Sequence, residues 1–80
     1  MTELSAISDK VVAIISVITQ RDDISEASSR ENTPEWDSLK HIDVIFAVED
    51  EFDIAFDDET LSKLNSVASI TKQVARSYAS

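Results

Sequence analysis

Eighty residues with a net charge of −9, no Cys, no Gly and a single Pro define one small domain that cannot be stapled by disulfides or thiolate metal sites. The lack of turn formers argues against a β-sandwich or barrel and excludes Gly-rich phosphate loops. Acidic charge makes nucleic acid and anionic membrane poor partners and a basic protein surface the natural complement.

The first helix is expected from about residue 3 to 19, with Thr2 as its candidate cap. Leu4, Ile7, Val11, Ile14, Ile15 and Ile18 recur at three- and four-residue steps and make one apolar stripe. A polar connection follows, "QRDDISEASSRENT", in which Ile24 is the lone large apolar residue and is expected to pin the loop to the core. So long a loop in a small domain tends to carry function. In "TPEW" Thr33 offers a cap and Pro34 suits a first helical position, so a short turn is expected there.

A second helix is expected over 38–52, capped by Asp37. A short third helix runs from about 58 to 64, capped by Asp57 and stopped near Asn65. Ser66 then caps a last helix whose apolar face carries Val67, Ile70, Val74 and Tyr78. The fold class is all-α: a small four-helix bundle in a single domain over 1–80, with a long loop between helices 1 and 2. No apolar run approaches the ~20 residues that span a bilayer, and the first residues lack a signal peptide's basic start. A soluble, cytoplasmic protein is expected, with no membrane insertion, and self-repulsion of the acidic copies favours a monomer.

The second helix carries the most information. Placing Leu39 at 0° and advancing ~100° per residue puts Val44, Val48, His41, Phe52 and Ile45 between about 140° and 240°. Ile42, Phe46 and Leu39 fall between about 300° and 360°, interspersed with Glu49, Asp50 and Asp43. Burying three unpaired carboxylates costs more than three apolar side chains return. The first arc is therefore assigned to the core, and Leu39, Ile42 and Phe46 to an exposed patch ringed by acids. From Asp37 to Glu59 nine acids face one base, Lys40, which places 9 − 1 = 8 net negative charges in that segment. Such a patch suits a partner that pairs an apolar groove with Lys or Arg.

Ser38 reads first as a helix cap, but Asp37 precedes it and caps equally well. Ser38 would then lie in the first turn with its hydroxyl toward solvent, where free N–H groups and the helix dipole suit a phosphate ester. No base is placed to activate it and no oxyanion hole is recognisable, so no catalytic residue is assigned and the chain is not expected to be an enzyme. His41 lies on the core arc and reads as a partly buried polar residue. "DIAFDDE" lacks the alternating ligands and central Gly of an EF-hand, and no metal site is assigned.

Taken together, "WDSLKHIDVIFAVEDEFDIAFDDETLSKLNSVASI" resembles the acyl carrier protein family. Asp37-Ser38-Leu39 opens a helix, "EDEF" closes it, "FDDETLSKL" stands as the short third helix and "NSVASI" opens the last. The resemblance implies a freestanding carrier in which a phosphopantetheinyl transferase attaches 4′-phosphopantetheine, from coenzyme A, to Ser38 beside Asp37. It implies an arm that carries acyl groups as thioesters to acyl-loading and acyl-processing enzymes of fatty-acid, lipid or natural-product biosynthesis. Leu39, Ile42, Asp43, Phe46, Glu49, Asp50 and Phe56 match the docking surface offered to the basic faces of those enzymes. Phe56, Leu61 and the core face of the second helix match positions lining a cavity for the acyl chain. Trp36 stands where the family has Gly or a small residue, and is expected to stiffen or shield the approach to Ser38. Lys40-His41 and Asp57 also depart from the common pattern and point to a specialised carrier. Alternatives are a carrier of amino acids or other carboxylic acids, or an unmodified acidic helical adaptor.

Overall fold

In the computed structural model, which describes residues 4–79, four helices follow in chain order: α1 (Leu4–Thr19), α2 (Ser38–Phe52), α3 (Asp58–Leu61) and α4 (Val67–Ala79). The expected cap Thr2 and the side chains of Leu4 and Tyr78 lie outside the described residues. α1 packs on both α2 and α4. Its stripe supplies Ile7, Val11 and Ile15, which meet Val44, Ile45, Val48 and Phe52 of α2 and Val67, Ile70 and Val74 of α4 in one core. Ile14 and Ile18 pack at its margin. No described helix is long and apolar enough to cross a membrane.

The helix ends are set by local chemistry. Asp37 Oδ1 accepts from the Lys40 N–H at 2.9 Å and Asp57 Oδ1 from the Thr60 N–H at 2.7 Å, each satisfying a donor that has no partner within the helix. Capping Thr60 holds the Asp57 carboxyl below its ordinary range. Ser66 and Ser69 cap α4 reciprocally: the Ser69 N–H donates to Ser66 Oγ and the Ser66 N–H to Ser69 Oγ, both at 3.1 Å. Without Gly, the ends of α1 and α2 use Gln20 (φ 58°) and Asp53 (φ 54°) in the left-handed region. There the Arg21 and Ile54 N–H groups reach back five residues to the Ser16 and Glu49 carbonyls.

α3 is shorter than the sequence implied, ending at Leu61 rather than near 64. Beyond it the bonds tighten to three-residue steps, Lys63 N–H to the Thr60 carbonyl and Leu64 N–H to the Leu61 carbonyl. The Ser62 hydroxyl adds a bond to the Glu59 carbonyl. Ser and Thr in so short a segment favour such local turns over helix propagation.

The long loop is tied down at several points. Ile24 is buried in the core, as expected. Arg21 bridges Asp23 and Glu35 (2.7 Å to Glu35 Oε1), so the two ends of the loop meet, and it holds both carboxyls below their ordinary range. Thr33 is buried within the expected turn, where its carbonyl accepts from the Trp36 N–H at 2.9 Å. Its hydroxyl donates to Asn32 Oδ1 instead of capping. Further along, Ser29 and Ser66 form an antiparallel bridge, with Val67 N–H to the Ser28 carbonyl and Arg30 N–H to the Asn65 carbonyl. The loop thus runs against the start of α4.

Two clefts flank α1. One, of about 240 Å³, lies between α1, the loop and α4 and is bordered by Ser8, Glu26, Val67 and Thr71. Ser8 donates to Glu26 Oε1 at 3.1 Å, while the buried Thr71 Oγ1 has no hydrogen-bond partner among the described residues. The other, of about 300 Å³, is an apolar groove of Ile14, Val17 and Ile18 against Ala47. Phe56 and Leu61 line neither cleft, and both pack half-buried against the core.

Candidate functional site

The start of α2 brings together residues from three stretches of the chain. With Asp37 taking the cap, Ser38 is not needed to close the helix, and it is exposed in the first turn as the sequence implied. Its hydroxyl is not idle, however. Arg30, from the loop, donates from Nη2 to Ser38 Oγ at 3.1 Å and from Nε to the Trp36 carbonyl at 3.5 Å. The Arg30 guanidinium and the positive end of the helix dipole thus lie beside Ser38, with the Asp37 carboxylate next to them, in an otherwise acidic region.

Trp36 does not shield the serine from outside. It is 1% exposed and is the largest of the fully buried side chains. Its ring tilts at 42° against His41, with centroids 5.8 Å apart, and its indole N–H donates to His41 Nδ1 at 3.0 Å. An indole N–H buried without an acceptor would lose its water with nothing in return, and His41 fills that need from the core arc of α2. Burial, and secondarily the nearby Arg30 charge, push His41 below the ordinary imidazole value of 6.5. With Nδ1 engaged by Trp36, His41 is a structural acceptor and not a base toward Ser38. The signal for this pair was in the sequence: Trp36 immediately precedes the cap and His41 is the fourth helical residue, the spacing of a hydrophobic staple. Arg30 had a fainter signal, as the only base between Arg21 and Lys40.

Further along α2, Leu39 (77%), Ile42 (52%) and Phe46 (65%) are exposed, with Asp43 and Asp50 exposed beside them. The carboxylates therefore sort the two arcs as the wheel required, and Val44, Ile45, Val48 and Phe52 are buried. Glu49 differs from its neighbours. It is half-buried, and its Oε2 accepts from the Phe56 N–H at 2.7 Å, which fastens the segment between α2 and α3. On the far edge Lys10 of α1 pairs with Glu51 at 3.3 Å and sits 5.9 Å from the Phe52 ring. Among the described residues no group of three or more His, Cys, Asp or Glu is arranged to hold a metal ion.

An exposed hydroxyl beside a guanidinium can accept a phosphoryl group delivered by another protein. An exposed apolar patch rimmed by acids can dock on a basic face. No family model matches this chain, and no curated protein matches it.

Proposed function

We propose that the chain is a small carrier protein of the acyl carrier type, not itself an enzyme. A separate transferase places 4′-phosphopantetheine on Ser38, and cytoplasmic partner enzymes load and unload the arm while docked on α2. The observation that carries this reading is the division of labour at the start of α2. Asp37 caps the helix and leaves Ser38 exposed, on the same element as the patch of Leu39, Ile42 and Phe46. Ser38 fits the group, since its hydroxyl is accessible and already pairs with a cation able to face a phosphodiester. When bound, the group supplies a thiol that holds carboxylic acids as thioesters. The protein's own residues present it: α2 fixes the attachment point, and the acid-rimmed patch orients the partner and speeds encounter.

The test is intact-mass measurement after incubation with coenzyme A and a broad-specificity phosphopantetheinyl transferase. One phosphopantetheinyl increment is expected on the wild type and none on Ser38→Ala. A wild-type mass left unchanged by several transferases would rule the proposal out.

A further inference from the structure

The Arg30 guanidinium has no counterpart in the sequence-level assignment of the site. Its backbone N–H is held by the Asn65 carbonyl at 2.9 Å, and its side chain reaches Ser38 Oγ and the Trp36 carbonyl. Both ends of the side chain are therefore placed by other parts of the fold. A guanidinium offers five N–H donors in a planar fork, and two of them are engaged here.

We infer that Arg30 is a positioning residue for the modification of Ser38 and afterwards the counter-ion of the phosphodiester formed there. The inference rests on the carrier reading. In the transfer, the Ser38 oxygen forms a bond to the β-phosphorus of coenzyme A and the diphosphate P–O bond breaks. Adenosine 3′,5′-bisphosphate leaves, and the hydroxyl proton passes to the transferase or to water. Arg30 holds the attacking oxygen in one orientation before the step. Afterwards the oxygen is esterified, and the same guanidinium faces a singly negative phosphodiester next to the Asp37 carboxylate. In a chain of net charge −9 this added charge is opposed by its neighbours, and a fixed cation within hydrogen-bond reach offsets the repulsion.

The experiment compares wild type, Arg30→Gln and Arg30→Lys. Gln keeps a donor and loses the charge; Lys keeps the charge and loses the fork. Modification is expected to slow about two- to fivefold in Arg30→Gln, the range for a charge-assisted contact near the surface, with partial recovery in Arg30→Lys. The deciding readout is the phosphorus NMR shift of the modified proteins. A shift in Arg30→Gln displaced from wild type toward that of a free phosphodiester, with recovery in Arg30→Lys, supports the inference. Identical shifts in all three overturn it, whatever the rates. Failure of wild type to be modified at all instead removes the carrier reading, and this inference with it.

Discussion

Replacing Trp36 by Ala tests the least expected part of the structure. A Trp buries roughly 150–250 Å² when enclosed, and at 1% exposure Trp36 buries nearly all of its surface. At about 25 cal/mol per Å² the transfer contribution is about 4–6 kcal/mol, an upper bound because unfolded chains already bury some of it. Aromatic-to-Ala changes in cores cost about 3–5 kcal/mol. Stabilities of about 0.05–0.15 kcal/mol per residue give an eighty-residue domain about 4–12 kcal/mol in all. Trp36→Ala should therefore lower the thermal midpoint by about 12 °C or more, at about 4 °C per kcal/mol at the least, or leave the chain unfolded. Far-UV circular dichroism follows the melt without needing the lost fluorophore. Trp36→Phe keeps a ring but removes the N–H, and combined with His41→Leu in a double-mutant cycle it should be non-additive by about 0.5 kcal/mol or more. A Trp36→Ala midpoint within about 4 °C of wild type would refute the core assignment, and strict additivity would refute the Trp36–His41 bond.

Acidification supplies a second test. His41 is held below 6.5 in the fold, so the unfolded chain takes up the proton first. The stabilising effect of the neutral, buried imidazole is complete above 6.5 and declines as pH falls through that value toward the folded one. Urea melts followed by Trp36 fluorescence should show this decline as the pH is lowered through 6.5, and His41→Gln should flatten it. Thr71→Val removes a buried hydroxyl with no partner among the described residues and should raise stability by about 1 kcal/mol in chemical denaturation; a loss of that size would mean the hydroxyl is satisfied by water in the cleft. Asp43→Lys should slow transfer to partner enzymes at low salt with an unchanged melting midpoint. Glu49→Lys should do the same and also lose about 1 kcal/mol of stability through its Phe56 bond. Equal melts for the two variants would count against that bond.

What the sequence made legible is what depends on one element at a time. Periodicity placed α1, α2 and α4, and the acids on α2 separated Leu39, Ile42 and Phe46 from the core because a carboxylate's desolvation outweighs an apolar contact. Asp37 could be assigned as the cap from its position alone. Trp36 was harder to place, since a residue in a loop has no periodicity of its own and only the staple spacing to His41 indicates which way it faces. The meeting of Arg30 with Ser38 was not legible, because it depends on the path of a loop fixed by backbone bonds between Ser28 and Val67 and between Arg30 and Asn65. Glu49 fitted the docking face by angle, but its bond to Phe56 forms only once the chain turns after Asp53.

The bridge between Ser29 and Ser66 joins strands of chain 37 positions apart. Contacts of such separation form after the local helices, because the intervening chain must first be closed. The loop therefore takes its final path only when the start of α4 has docked, and until then Arg30 has no fixed place beside Ser38. The corner between α3 and α4 and the start of α2 then form one mechanical unit. Fraying of the chain from Asn65 into the first turn of α4 should release Arg30 as well, so the hydrogen-exchange protection of the Val67 and Arg30 amides is expected to rise and fall together.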